Sequence, residues 1–257
     1  MEAFVTRSLF DEAPTPYMAP EVIAPGAVLL RGFACDVADA LVQAAEQVIA
    51  AAPLRHLITP GGRTMSVGMT NCGGLGWVSD RTGYRYSATD PLSGQPWPPM
   101  PDCFLDMAVQ AALEYAQCQT WEATNAAPGR PKQVQPPRGA AQHTQWQAWG
   151  PHFRPDACLI NSYAPGARLS LHQDKDEGDM TAPIVSVSLG LPAIFLFGTT
   201  QRSEYPARYR LVHGDVAVWG GPSRLAYHGV APLADGDHVR LGRRRINLTF
   251  RRAGPKD

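Results

Sequence analysis

Hydrophobic and polar positions divide the chain into two parts. In the first, "DVADALVQAAEQVIAA" sets Val37, Leu41, Ala44, Ala45, Val48 and Ile49 at helical spacing behind Asp36, a residue type that caps helices. It follows a short apolar run, "AVLLRGF", that reads as a strand. From Thr59 to Pro101 glycines and prolines punctuate the chain, "TMSVGMTN" alternates, and Trp77, Tyr84, Tyr86 and Trp97 fall among turn residues, a pattern of hairpins and loops. Helical period returns in "DCFLDMAVQAALEYAQ". Between Cys118 and Phe153 it is lost in a segment rich in Gln, Pro and Ala, which reads as an inserted, largely disordered loop. Eight short runs then follow closely: "DACLINSYA", "LSLHQD", "IVSVSLG", "AIFLFG", "YRLVH", "VAVWGG", "AYHGV" and "INLTFRR". Short strands separated by Gly, Pro and Asp turns, with no helix between them, predict a β-sandwich or jelly roll.

Composition narrows the class. A chain of 257 residues, 44% hydrophobic and 18% charged, can bury one substantial core. No apolar run nears the roughly 20 residues that cross a bilayer, and the first residues lack the basic start and apolar centre of a signal peptide. A cytoplasmic location is expected. The five cysteines (Cys35, Cys72, Cys103, Cys118, Cys158) are scattered, odd in number and without a CxxC pair. They read as reduced, mostly buried thiols rather than a disulfide framework or zinc site. The formal charge of zero argues against a uniform basic field. Arg240, Arg243, Arg244, Arg245, Arg251 and Arg252 nevertheless crowd the C-terminus, either as a local phosphate-binding surface or as a solvated strand edge.

The candidate chemistry begins in "RLSLHQDKDEGD", where an alternating strand runs into a histidine and a series of carboxylates. His172 and Asp174 are two apart, so an extended backbone projects both to one side. His228, in "LAYHGV", lies on a later strand that can pair beside the first. Two imidazoles and a carboxylate on one face form the facial triad of non-haem Fe(II) oxygenases. A bare H-x-D is weak, and His213-Gly-Asp215 is a second copy, read here as a structural turn. In "RRRINLTFRR", Arg245, Asn247 and Thr249 share a face, and Arg251 falls on it six residues after Arg245. Two arginines facing an apolar interior are costly unless they meet anions, and a small dicarboxylate chelating iron at one end would supply two. Asn161 and Tyr163 share a face of "LINSYAPG"; they either donate to the same ligand or satisfy backbone groups.

Taken together, "PDACLINSYAPGARLSLHQDKDE", "APIVSVSLGLPAIFLFG", "HGDVAVWGGPSRLAYHGV" and "RINLTFRRAG" resemble the AlkB family, the 2-oxoglutarate- and Fe(II)-dependent dioxygenases that demethylate alkylated nucleobases. "TPGGRTMSVGMTNCGGLGWVSD" and "GYRYS" resemble that family's N-terminal nucleotide-recognition lid. The resemblance implies a mainly β fold with flanking helices (α+β), a double-stranded β-helix (jelly-roll) core and that lid. The expected divisions are residues 1–117 for the N-terminal helices and lid, 118–153 for the insertion and 154–257 for the catalytic core. The resemblance further implies iron ligands His172, Asp174 and His228, and a 2-oxoglutarate site of Asn161, Tyr163, Arg245, Asn247 and Arg251. For the damaged base it implies Thr59, Met69, Trp77, Tyr84, Asp176 and Arg202. Fe(II), 2-oxoglutarate and O2 would then oxidise N1-methyladenine or N3-methylcytosine in single-stranded DNA, with RNA a second candidate, releasing succinate and formaldehyde. A monomer is expected, with no membrane and no obligate protein partner. The insertion departs from the family pattern, and its Trp121, Trp146 and Trp149 either stack on bases or dock on the parent domain. Two other classes compete: a 2-oxoglutarate oxygenase acting on a substrate other than nucleic acid, which would not need the aromatic lid, and a non-catalytic jelly-roll binding module, which would need neither Arg245 nor the triad.

Overall fold

The computed structural model describes residues 19–125 and 152–255. In chain order these form a hairpin of β1 (Glu21–Ala24) and β2 (Ala27–Leu30), helix α1 (Ala38–Ala51), strands β3 (Gly68–Gly73), β4 (Gly76–Asp80) and β5 (Gly83–Ser87), and helix α2 (Asp102–Asn125). Eight strands follow: β6 (Ala157–Tyr163), β7 (Leu169–His172), β8 (Ile184–Gly190), β9 (Ala193–Phe197), β10 (Ala207–Leu211), β11 (Val216–Trp219), β12 (His228–Val230) and β13 (Arg245–Arg251). All eight expected C-terminal strands are present. They divide between two layers, one ordered β11-β8-β13-β6 and the other β10-β9-β12-β7, successive strands changing layer except at the β9-β10 hairpin, which is a jelly roll. The β1-β2 hairpin extends the first layer at one edge and β3 extends it at the other, while β4 and β5 form a separate two-stranded ribbon.

The alternation in the larger sheet has an unusual sense. On β13, Ile246, Leu248 and Phe250 point away from the smaller sheet and join a buried cluster with Leu41, Val42, Ala45 and Val48 of α1 and Phe104, Met107, Ala108 and Ala111 of α2. Val185 and Val187 of β8 and Ile160 of β6 belong to the same cluster. Phe104 meets Phe250 edge to face with ring centroids 5.7 Å apart. The alternate positions, Arg245, Asn247, Thr249 and Arg251 on β13 with Asn161 on β6 and Ser186 on β8, line the space between the sheets. Period-two geometry thus puts the apolar set against the helices and the polar set inside the sandwich. The alanines of α1 and α2 let both helices approach the sheet closely, and each fully buried Leu, Val or Phe contributes about 1.5–3 kcal/mol.

Several expectations need correction. Asp36 sits in a 3-10 turn, Cys35–Val37, and no side-chain bond caps the start of α1, so packing sets that boundary. Helix α2 continues to Asn125, through residues 118–125 of the expected loop, and Phe153 at the far end of that loop is fully buried in the core. The rest of the insertion, with Trp146 and Trp149, lies outside the described residues. Two cysteines, Cys72 and Cys158, are buried, and the other three are half-buried; none of the five forms a disulfide. The arginines of the C-terminal run do not form an open basic surface. Arg240 pairs with Asp39 at 2.7 Å, Arg243 with Asp235 at 2.7 Å, Arg244 with Glu46, and Arg252 lies 3.9 Å from Asp179.

The second H-x-D copy is structural, as expected. Gly214 takes φ +87° at the turn, and a Cβ there would collide with Cys35 Sγ. Asp215 is fully buried and accepts from Gly32 N at 2.9 Å, Val212 N at 3.0 Å and Arg31 Nη1 at 2.8 Å. It ties the β10-β11 turn to the end of β2. Removing one partner of such a pair leaves donors and a charge unmatched, so Asp215→Ala should lower the unfolding free energy by about 3–5 kcal/mol in a urea titration. A loss below 1 kcal/mol would show that these contacts do not anchor the turn.

Candidate active site

The first two donors come from adjacent strands. β12 pairs antiparallel with β7, placing His228 directly across from His172, with ring centroids 4.4 Å apart. Each ring is oriented by its own backbone: His172 Nδ1 donates to Ser170 O at 2.9 Å and His228 Nδ1 to Ala226 O at 3.0 Å. That assigns the proton to Nδ1 and leaves both Nε2 lone pairs free to ligate. Trp219 packs against His228 with centroids 4.8 Å apart. Asp174, just past the end of β7, turns inward so that Oδ1 lies 3.5 Å from His172 Nε2 and Oδ2 lies 3.8 Å from His228 Nε2. Donor atoms of the three residues all fall within 4.8 Å of one another.

The charges suit a divalent ion. Burial alone would push the Asp174 carboxyl up, but the Arg251 guanidinium, followed by the two histidines, holds it well below the usual range. Arg251 Nε and Nη2 reach Asp174 Oδ2 at 2.8 and 2.6 Å. His228 is lowered to about 4, first by burial and then by the neighbouring His172. An anionic carboxylate and a neutral imidazole are therefore present at neutral pH. The set of two nitrogens and one oxygen is that of a facial Fe(II) site with open positions.

A second feature lies on β13. Arg245 is 2% exposed, donates from Nη2 to Ser188 Oγ at 2.9 Å, and leaves Nε and Nη1 without a partner. Its guanidinium carbon lies 5.0 Å from the centroid of the Tyr163 ring, and burial pushes its pKa down. A buried cation with two unmet N–H groups calls for an anionic ligand, and a carboxylate of 2-oxoglutarate fits that need. Arg251 differs from expectation here: its guanidinium is already occupied by Asp174 and lies 3.4 Å from Glu177 Oε1. Asn161 Nδ2 is also committed, donating to Asn247 Oδ1 at 3.3 Å, while Asn161 Oδ1 is buried without a partner.

One cavity of about 600 Å3 gathers every residue that the resemblance implied for the iron, 2-oxoglutarate and base sites. His172, Asp174 and His228 lie in it with Asn161, Tyr163, Arg245, Asn247 and Arg251, and its outer wall includes Thr59, Met69, Trp77, Tyr84, Asp176 and Arg202. Trp77 of β4 and Tyr84 of β5 stack with centroids 5.5 Å apart and planes at 14°. Trp77 Nε1 donates to Asp176 Oδ2 at 3.1 Å. The strand ends at His172, so Asp176 reaches the cavity from a loop and not from the extended backbone expected. Arg202 lies over the Tyr227 ring at 5.8 Å. Sequence reading missed Glu177, Arg224 and Tyr86: Glu177 accepts from Tyr86 Oη at 2.7 Å and from Arg224 Nη2 at 3.1 Å. Asp174, Glu177 and Asp179 are all buried while Asp176 is exposed, and nothing in "DKDEGDM" marks which of these acids turn inward.

Because His228 is held neutral, the metal-free protein binds fewer protons than its unfolded chain between about pH 6.5 and 4. Stability from this group is therefore present above that window and lost as pH falls through it, at about 1.4 kcal/mol per unit of displacement. His213 and His238, also lowered, act in the same direction. Asp174 gives way only at lower pH. His228→Gln should flatten the fall in unfolding free energy between pH 6.5 and 4, measured by denaturant titration without metal; an unchanged slope would rule His228 out as its source.

Comparisons with known proteins agree with this geometry. Residues 26–251 match the model of the 2OG-Fe(II) oxygenase superfamily. The alpha-ketoglutarate-dependent dioxygenase AlkB of Salmonella typhimurium is 49% identical over 247 residues, 96% of this chain and 97% of that protein. The tRNA demethylase abh1 of Schizosaccharomyces pombe is 38% identical over 116 residues, 40% of this chain and 38% of its own. The solved structure of OsALKBH1, 29% identical, superposes with a TM-score of 0.68 over 91% of this chain and 99% of that one. With identity at this level sustained across nearly the whole length, the chain belongs to the AlkB family within the 2OG-Fe(II) oxygenase superfamily, dioxygenases that use Fe(II), 2-oxoglutarate and O2.

Proposed function

We propose that this enzyme demethylates N-alkylated nucleobases, such as N1-methyladenine and N3-methylcytosine, in single-stranded DNA, with RNA a second substrate, as a cytoplasmic monomer in direct-reversal repair. The observation that carries the reading is the stacked Trp77–Tyr84 pair at the outer wall of the cavity that holds the triad. Planar aromatic faces beside the reacting centre suit a nucleobase, and a relative, abh1, is a tRNA demethylase. In this reading His172, Asp174 and His228 hold the iron, while Arg245, beside Tyr163, binds the carboxylate of 2-oxoglutarate farther from the metal. Asn161, Asn247 and Arg251 shape the metal-proximal end. When bound, Fe(II), 2-oxoglutarate and O2 supply the oxidation that yields succinate and CO2 and hydroxylates the N-methyl carbon, after which formaldehyde leaves the repaired base.

The protein's part is positioning. A base within a duplex cannot reach a walled cavity, so the target enters single-stranded or flipped, between Trp77 and the His172 imidazole. In this reading Thr59, Met69 and Arg202, which line the same cavity, contact the base, and Tyr84 stands near the phosphate. Asp176 is the anion beside the base. N1-methyladenine and N3-methylcytosine carry a positive charge that N3-methylthymine lacks, and a nearby carboxylate should favour them by about 1–2 kcal/mol at intermediate dielectric.

Formaldehyde release from single-stranded oligonucleotides tests substrate and selectivity together. Release should require the methyl group, and kcat/KM should favour N3-methylcytosine over N3-methylthymine by roughly five- to thirtyfold. Asp176→Asn should shrink that ratio. Methyl-independent turnover would point to another substrate, and an unchanged ratio would remove Asp176 from selectivity. Arg245→Ala should raise the KM for 2-oxoglutarate at least tenfold with little change in the KM for the oligonucleotide, as follows from removing a charge-assisted contact of about 1.5–3 kcal/mol. Equal effects on both constants would contradict that assignment.

A further inference from the structure

The β4-β5 ribbon of the lid reaches the core at two carboxylates that differ in kind. Asp176, which takes the Trp77 indole, is exposed. Glu177, which takes the Tyr86 phenol on Oε1 at 2.7 Å, is only 7% exposed. Its other oxygen accepts from Arg224 Nη2 at 3.1 Å, and Arg224 also donates from Nη1 to the main-chain carbonyl of Asp174 at 2.7 Å. The Oε1 atom bound by Tyr86 lies 3.4 Å from Arg251 Nε, and Arg251 grips Asp174 Oδ2. Two arginines thus connect Glu177 to Asp174, one through its side chain and one through its backbone.

The charges balance without the phenol, since Asp174 and Glu177 offset Arg224 and Arg251. What Tyr86 adds is direction. Its hydroxyl fills Glu177 Oε1, the oxygen that otherwise competes with Asp174 for Arg251. Burial first, and then the nearby carboxylates, push the phenol well above its usual range despite Arg251, so it stays a donor. Tyr86 does not line the cavity. We propose that Tyr86 is a positioning residue for the metal ligand Asp174, acting through Glu177 and Arg251, so that seating the lid ribbon and binding the metal favour each other. This rests on the reading of Asp174 as an iron ligand. Linkage makes the effect reciprocal: whatever the seated ribbon contributes to metal affinity, the metal returns to the ribbon. Without the hydroxyl, Glu177 draws on Arg251, and the Asp174 carboxylate loses the contact that turns Oδ1 towards His172.

Mn(II), bound without turnover and followed by electron paramagnetic resonance on the full-length protein, supplies a readout free of catalysis. Tyr86→Phe should weaken Mn(II) binding about fivefold or more, the lower range of measured couplings. Tyr84→Phe, which alters the same ribbon, should leave it unchanged. In hydrogen exchange, Mn(II) should slow the amides of residues 76–87 in the wild type and not in Tyr86→Phe. Glu177→Gln combined with Tyr86→Phe should weaken binding by less than the product of the two single effects, because both act along one path. Unchanged or tighter Mn(II) binding by Tyr86→Phe overturns the proposal, as does an equal loss in Tyr84→Phe. Asp174→Ala separates the two levels: abolished Mn(II) binding upholds the metal site, so that a silent Tyr86→Phe defeats the coupling alone, whereas retained binding defeats both.

Discussion

The buried ion pair between Asp174 and Arg251 is the contact on which the rest of the architecture depends. A carboxylate 8% exposed would take up a proton if burial acted alone, and a protonated Asp174 would be a poor ligand. Arg251 reverses that outcome. The pair also has a geometric consequence, because Asp174 follows the last strand at one edge of the smaller sheet and Arg251 ends the central β13 of the larger one. It clips the two layers together at the point where the histidines converge. Arg251 itself is raised despite its burial, chiefly by Asp174 and further by Tyr86 and Glu177, so the cation is as firmly charged as the anion.

A sandwich that keeps arginines and carboxylates between its sheets cannot rely on that space for hydrophobic cohesion. The outer face of the larger sheet assumes the task, with α1 and α2 covering Val185, Val187, Ile246, Leu248 and Phe250. Smaller apolar clusters close the chamber: Leu29, Ile184, Phe195, Phe197 and Trp219 in one, and Met69, Leu159, Tyr163, Leu191 and Val230 in another. These walls keep Asp174 and His228 buried and strengthen the charge interactions around them, while His172 remains partly open to solvent. The same burial that displaces His228 and Arg245 from their ordinary pKa values leaves one a neutral imidazole and the other a cation short of partners.

The lid ribbon is joined to this body largely by directional contacts. Asn71 on β3 exchanges two hydrogen bonds with the main chain of Trp77, each 3.0 Å, and acts as an additional rung where the ribbon leaves the sheet. Asp176 and Glu177 hold the indole and the phenol. Such bonds define one seated position, yet each contributes only about 0.5–1.5 kcal/mol net, which suits a wall that must admit a large planar substrate.

The sequence alone determined whatever depends on the direction of neighbouring side chains. Strand alternation has a period of two, so the eight C-terminal strands and the inward set Arg245, Asn247, Thr249 and Arg251 could be read locally, as could the turn at Gly214 from its Gly-Asp pair, whereas Asp174 joins His172 from beyond the end of β7. The lid and the residues expected at the 2-oxoglutarate and base sites came from resemblance of whole motifs, and those site residues line one cavity. Tertiary structure decided which charges meet. Arg251 and Arg245 are alike in the strand pattern, but sheet order sets one against Asp174 and Glu177 and leaves the other with two unmet N–H groups. The arginines of the tail read equally as a phosphate-binding surface or a solvated strand edge, and only the fold shows Arg240, Arg243 and Arg244 paired with Asp39, Asp235 and Glu46. Glu177 gave no sign among its three acidic neighbours, because its burial and its link to Tyr86, 91 residues away, exist only once the lid lies against the loop after β7. Side-chain direction is a property of adjacent residues, whereas charge pairing and burial belong to the order in which strands assemble.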